Sequence, residues 1–106
     1  MKLYSIENLP GVKIEEVLGL VMGEVVQSKH LGKDIMAGFK TIVGGEISGY
    51  TEMLSEARKI ATYRMVQEAE KMGANAIIGI RYGSSEAMQG AAEMLAYGTA
   101  VKIKEK

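Results

Sequence analysis

A histidine and an aspartate lie four residues apart, at His30 and Asp34, and are the first candidates for chemistry in this chain of 106 residues. Imidazole and carboxylate groups both bind divalent metal ions, and a separation of four places two side chains on the same side of a helix. Gly32 interrupts that segment, however, and two ligands do not complete a metal site. A metal ion is therefore a candidate cofactor, while a solvated loop histidine is the simpler interpretation.

A second candidate site is a group of glycines at the start of the longest predicted helix, Gly44, Gly45 and Gly49, followed by Tyr50. Free backbone N–H groups beside the positive end of a helix bind phosphate or carboxylate. The segment lacks the pattern of a nucleotide-binding P-loop, so it does not indicate nucleotide chemistry. The four residues are predicted to bind a small ligand, and the alternative is a turn that needs glycine torsion angles.

Two charged residues, Arg64 and Glu68, are spaced four apart within the apolar arc of the same helix. An unpaired charge on an apolar face is costly, so we expect each to have a partner. That partner is either the other residue of the pair or a group across a subunit boundary, and a polar pocket at that boundary is the functional alternative. Arg58 lies nearer the polar side and is a further ligand-binding candidate, or an anchor for a neighbouring loop or subunit.

No arrangement of a nucleophile and a base can be assembled from this sequence. It has one histidine and no cysteine. Ser84 and Ser85 beside Glu86 are suitable residue types, but the sequence does not show that a serine and a base lie close together. The lack of cysteine also excludes disulfides, iron–sulfur clusters and thiolate metal sites. We therefore predict a protein that is not an enzyme, and an enzyme with a site shared between subunits stays the less favoured alternative.

The charge balance argues against nucleic acid and membranes as partners. Thirteen Lys and Arg offset thirteen Asp and Glu, so the chain has no global field that would attract polyanions. The apolar runs are too short for a membrane span, and the first residues lack the apolar core of a signal peptide. These features predict a cytoplasmic protein.

The length predicts one domain over residues 1–106, and apolar periodicity divides it into strands and helices. We expect an interior strand over 12–27 with a bend or bulge at Gly19 or Gly23, and a short helix over 33–43. A long helix is predicted over 48–72, stopped by Gly73.

Two further strands, 75–82 and 95–103, complete the predicted chain order. They are expected to form an antiparallel hairpin joined by an irregular or partly helical connection over 83–94. The resulting fold class is α+β, a β-α-β-β two-layer subunit. It has a three-stranded, mainly antiparallel sheet, one long helix and a short extra helix.

The predicted strands have one bulky face and one face of small residues, and this difference bears on assembly. A face of glycine and alanine allows the long helix to approach closely, which leaves the bulky face open. Such an apolar face is rare on monomers, so we predict self-association, and the alternative is that the N-terminal segment covers it. The bulky set is Leu18, Leu20, Met22, Ile78, Ile80, Tyr82, Tyr97, Val101 and Ile103, and the small set is Gly19, Gly23, Gly79, Ala96, Gly98 and Ala100.

Four blocks of sequence carry a resemblance to a known family. They are GLVMGEV at 19–25, IVGG at 42–45 leading to Tyr50, Leu54, Ala57 and Arg58, GANAIIGI at 73–80, and YGTAV at 97–101. In this order and spacing they resemble the YbjQ-like family over nearly the whole chain. The resemblance implies a dodecin-like subunit, a homopentamer and the family label "putative heavy-metal-binding".

Three functions remain open from the sequence. The first is an oligomeric binding protein whose ligand, a metal ion or small anion, lies at subunit boundaries or helix starts. A fivefold assembly would then gather one ligand, such as His30, from each subunit into a ring. The second is a structural or accessory protein that acts through a protein partner, and the third is the enzyme with a shared site.

Overall fold

The computed structural model describes residues 1–28, 42–43 and 46–105, which form one helix and two sheets. Strands β1, β5, β6 and β2 form a mixed four-stranded sheet in that order, and β3 and β4 form a small antiparallel pair. The α+β class is confirmed, but the main sheet has four strands instead of three. The elements are β1 (Lys2–Leu3), β2 (Val12–Ser28), β3 (Ile42–Val43), β4 (Glu46–Ile47), α1 (Ser48–Lys71), β5 (Ala76–Met88) and β6 (Ala91–Glu105).

The short helix predicted over 33–43 is wrong at its C-terminal end. Ile42 and Val43 form β3 and pair with Ile47 and Glu46, and the remainder of the predicted helix lies outside the described residues. Both β3 residues are β-branched, which favours a strand over a helix. The apolar spacing that suggested a helical face is therefore overridden by local strand preference.

The long strand β2 has nearly the predicted length but not the predicted position in the sheet. It pairs only with β6 within the described sheet, so β2 is an edge strand and not an interior one. The predicted bulge is confirmed near Gly19, which has a φ of +135° beside a shift in register after Val17. A second shift follows Ile14, whereas pairing through Gly23 is regular.

Helix α1 packs on the face of small residues, as predicted. Ala61 and Met65 are completely buried against Ala96 and Ala100 of β6, with Val21 of β2 beside them. Small side chains on both surfaces allow the helix to lie close to the sheet and bury its apolar face. We call this surface of the sheet the helix face and the opposite surface the open face.

Bulges move three of the predicted bulky residues to the helix face. Leu18, next to the bulge at Gly19, packs against the core under α1. Ile80 does the same after a shift in register at Gly79, where φ is +62°. Tyr82 follows on this side and bonds Thr62 of α1 at 2.8 Å. An extra residue in one strand reverses the alternation of faces, which period-two reasoning cannot anticipate.

The predicted irregular connection over 83–94 is instead a continuous hairpin. Strand β5 extends to Met88, β6 starts at Ala91, and Gly90 in the turn has a φ of +77°. Ser84 pairs with Met94 in the ladder, so polar composition does not end the strand there. Pairing with β6 holds this arm of β5 extended, although its residues 81–88 are exposed.

The N-terminal segment covers one end of the open face, so that alternative is confirmed in part. Leu9 packs with Ile78, Val101 and Ile103 in a second buried cluster. Backbone hydrogen bonds hold the segment along β5, including that from the Tyr4 N–H to the Ile77 carbonyl at 2.9 Å. The opposite end of the open face, towards the hairpin, keeps its apolar side chains exposed.

An ion pair also ties this segment to β6. The Lys2 Nζ donates a hydrogen bond to Glu105 Oε1 at 3.2 Å. That hydrogen bond and the negative charge of Glu105 raise the pKa of Lys2 above its ordinary value. The contact therefore contributes to stability below the unfolded pKa of lysine and is lost as the pH rises through the higher folded value.

The side chain of Asn75 forms hydrogen bonds with the end of β6 that a neighbouring strand would otherwise form. We expect that removing this side chain destabilises the fold. Its Nδ2 donates to the Ile103 carbonyl at 2.9 Å, and its Oδ1 accepts from the Ile103 N–H at 2.8 Å. We predict that Asn75→Ala lowers the free energy of unfolding by about 1–3 kcal/mol, because both backbone groups lose their partner. Urea denaturation measures this, with Asn8→Ala at an exposed position as the control. Equal stability of the two variants would contradict the assignment.

Candidate assembly surface

The outer edge of β2 is long and has no strand beside it among the described residues. This strand has 17 residues, and β6 is its only neighbour in the sheet. An edge strand presents backbone N–H and C=O groups that another chain can pair with, and edges are usually kept short for that reason. The two bulges disturb only the first half, so the stretch from Gly19 to Ser28 is regular and able to pair.

The regular half of β2 also carries exposed apolar side chains on the open face. Leu20 and Val26 are each 63% exposed, and Met22 is 40% exposed next to Tyr97 of β6, which is 38% exposed. Val17, at the bulge, is 65% exposed. A monomer seldom leaves such a group together in water. We call these five side chains and the free edge from Gly19 to Ser28 the β2 surface.

Helix α1 borders the same edge from the other side of the sheet. A cleft of about 280 Å³ lies between the edge and the helix, lined by Leu20, Val21, Met22, Glu68 and Met72. One turn earlier in the helix, Arg64 Nη1 donates to the Glu24 carbonyl of β2 at 2.6 Å. The edge is therefore flanked by a recess and by two charged residues of α1.

The two charged residues predicted to pair with each other do not do so. Arg64 bonds to a backbone carbonyl, and Glu68 forms an ion pair with Lys71 at 3.2 Å. Both side chains are exposed and not buried in the apolar arc. The side of the helix that carries them faces the free edge of β2. Each has a partner, as expected, and both lie beside the surface where a subunit boundary is predicted.

The other predicted site residues are not brought together. Gly49 and Tyr50 lie half-buried in the first turn of α1. Arg58 is exposed two turns further on, where its carbonyl accepts the Thr62 hydroxyl proton at 2.7 Å. That hydroxyl proton is then engaged, so Tyr82 is the donor in the hydrogen bond between Tyr82 and Thr62. The remaining candidates, Gly44, Gly45, His30 and Asp34, lie outside the described residues.

A second cleft, which the sequence did not reveal, lies at the edge of β5 beside the N-terminal segment. Its volume is about 560 Å³, and its lining residues are Leu3, Tyr4, Ser5, Ile80, Arg81 and Tyr82. Arg81 Nη1 donates to the Ser5 carbonyl at 2.7 Å and to the Ile80 carbonyl at 2.9 Å. The sequence feature that could have indicated this cleft is Arg81, a charged residue directly after the apolar run from Ala76 to Ile80.

Two features that the described residues lack bear on the remaining function classes. Within residues 1–28, 42–43 and 46–105, no group of three or more His, Cys, Asp or Glu is placed to hold a metal ion. In the same ranges, no helix combines the length and the apolar character needed to cross a membrane.

Comparison with known proteins reveals close relatives over the full length. Residues 1–104 match the family model YbjQ_1, whose description is "Putative heavy-metal-binding". A UPF0145 protein from Thermotoga petrophila is 63% identical over 105 residues, 99% of each chain. Another from Helicobacter hepaticus is 63% identical over 103 residues, 97% of this chain and 98% of that protein. A solved structure of a DUF74-family protein of unknown function from Pediococcus pentosaceus has a TM-score of 0.62 at 17% identity, over 98% of both chains.

Proposed function

This chain belongs to the YbjQ family, and we propose that it is a non-catalytic, self-associating binding protein in which a second copy of the chain covers the β2 surface. The observation that carries the proposal is the coincidence of two features on one strand. The regular half of β2 has no strand on its outer edge within the described part of the chain, and the same stretch carries the exposed apolar side chains of Leu20, Met22 and Val26. Backbone pairing and apolar burial would therefore act at the same contact.

The charge of the chain supports a second copy as the occupant. The formal net charge is zero, so identical subunits do not repel each other at long range. The cleft beside the edge offers space for side chains of the second copy. A different protein on this surface is the alternative, and it would leave the purified chain monomeric.

Five subunits, the number that the family resemblance implies, restrict how the copies meet. An odd cyclic number requires two different surfaces at each contact, because a surface that pairs with itself closes a dimer. On the other side of the described sheet, the free strand edge is the β5 arm from Gly83 to Met88, beyond the N-terminal segment. A Cβ at Gly83 in this arm would contact nothing within 4 Å. We therefore expect the β2 edge of one copy to pair with the β5 arm of the next.

Cross-linking tests this arrangement cleanly, since the natural chain has no cysteine. Val26 and Ser85 both pair with Glu93 and so lie at the same level of the sheet, on opposite edges. The double variant Val26→Cys, Ser85→Cys, treated with a short thiol-reactive cross-linker, is expected to give a ladder beyond the dimer on a denaturing gel. Each single variant is the control and should remain uncross-linked. Dimers from Val26→Cys alone would indicate that β2 pairs with itself, against the proposal.

Binding of a heavy metal is the second candidate function, favoured by the description of the family model. A ring that takes one ligand from each subunit needs both that ligand and the assembly. We predict that zinc bound after dialysis, measured by elemental analysis, is lost in His30→Ala. It should also be lost in a variant that does not assemble. Zinc retained by a monomeric variant would contradict a shared ring.

A further inference from the structure

We propose that the cleft at Arg81 binds the carboxylate of a small organic acid. The groups that form it belong to a single copy of the chain, so this inference does not depend on assembly. The cleft of about 560 Å³ falls within the range of about 300–1,000 Å³ typical of small-molecule sites. Leu3, which is 42% exposed, contributes apolar surface beside the guanidinium group.

The guanidinium group is held in position before any ligand arrives. Arg81 Nη1 is fixed by the carbonyls of Ser5 and Ile80. The segment that carries Ser5 is itself fixed to β5, because the Ile80 N–H donates to the Tyr4 carbonyl and the Gly79 N–H donates to the Ile6 carbonyl, each at 3.0 Å. A donor that is already oriented loses little freedom on binding, which favours affinity.

Among the described residues, no carboxylate forms an ion pair with Arg81. The ion pairs within the described residues join Lys2 to Glu105, Lys71 to Glu68 and Lys102 to Glu16. Arg81 is therefore an arginine with no carboxylate partner in that part of the chain. Its Nε and Nη2 groups make no hydrogen bond there either, and they form the fork that binds a carboxylate through two parallel hydrogen bonds.

Benzoate is a suitable probe, since it joins a carboxylate to an apolar ring, and benzamide is its neutral counterpart. We expect a benzoate titration of the full chain to shift the amide NMR signals of residues 3–5 and 80–82 in a saturable way. Benzamide should bind at least about tenfold more weakly than benzoate, because hydrogen bonds to a charged group are stronger than those to a neutral one. Equal shifts with both compounds would overturn the carboxylate assignment.

Two variants separate recognition from folding. Arg81→Gln should weaken benzoate binding by about tenfold or more, while Arg81→Lys keeps the charge and should bind with intermediate affinity. Lys59→Gln, at an exposed position of α1, removes the same charge elsewhere and should bind as the natural chain does. Slow amide exchange at Gly79 and Ile80 checks that the N-terminal segment stays in place.

The outcomes also distinguish this inference from the proposed assembly. Benzoate should still bind a variant that does not assemble, because the cleft lies within one copy. If instead benzoate fails to bind and Arg81→Gln dissociates the assembly, the partner of Arg81 is a carboxylate of a neighbouring copy, and the small-acid proposal is wrong. Unchanged benzoate affinity in Arg81→Gln would overturn it as well.

Discussion

Gly23→Ala is expected to lower the free energy of unfolding by about 3 kcal/mol or more, at the upper end of overpacking effects. Gly23 lies directly beneath α1, where a Cβ would collide with the Ala61 carbonyl oxygen and lie 2.5 Å from the Met65 nitrogen. Both are backbone atoms of a helix and cannot move aside as a flexible side chain does. The helix would have to lift from the sheet, which opens the core around Met65.

Gly83→Ala is the matched control for this prediction. Gly83 is also a strand glycine of the same sheet, but a Cβ there would contact nothing within 4 Å. Neither glycine has a positive φ, so alanine fits the backbone at both positions. We expect Gly83→Ala to stay within about 0.5 kcal/mol of the natural chain. Denaturation at equal subunit concentration compares the two, and similar losses would mean that α1 does not pack closely on β2.

Leu20→Lys is expected to break the assembly into monomers at micromolar concentration. Leu20 is 63% exposed in one copy and would be covered by the next, so the variant would bury a charged side chain in an apolar contact. The fold of the single copy should be retained, because the side chain lies on the open face, away from the core under α1. Size-exclusion chromatography with light scattering measures the change in mass.

Tyr63→Lys controls for the introduction of a lysine at an exposed apolar residue. Tyr63 is also 63% exposed, but it lies on α1, away from the β2 surface. Its variant should keep the mass of the natural assembly. Loss of assembly in Tyr63→Lys, with Leu20→Lys intact, would place the contact on the helix and not on β2.

The sequence was sufficient for the main layers of the fold because each had a strong local pattern. The long helix was predicted over 48–72 and lies at Ser48–Lys71, ended by Gly73 with a φ of +84°. Its docking on Ala96 and Ala100 followed from the small residues of β6. The β5 arm was missed because Gly83, Ser84 and Ser85 are typical loop residues. Pairing with β6 across the hairpin holds them in a strand.

The site was predicted less well than the fold, for a physical reason. Which strand lies at the edge depends on strand order, and local periodicity contains no information on order. Apolar residues on both faces of β2 suggested an interior strand, which holds for this strand only if a further strand pairs with its outer edge. Arg81 was missed because its partner Ser5 is 76 residues distant in sequence. Arg64 and Glu68 were correctly expected to have partners, but those partners are Glu24 and Lys71.

Native mass spectrometry of the freshly purified, untagged chain tests self-association most directly, because one spectrum reports the number of subunits and any retained ligand. We expect an assembly of several 11.5 kDa subunits, five being the number that the family resemblance implies. We also expect Leu20→Lys to appear as the monomer under the same conditions. A natural chain that is monomeric at micromolar concentration would contradict the account, since the β2 surface would then be stable in water without a second copy.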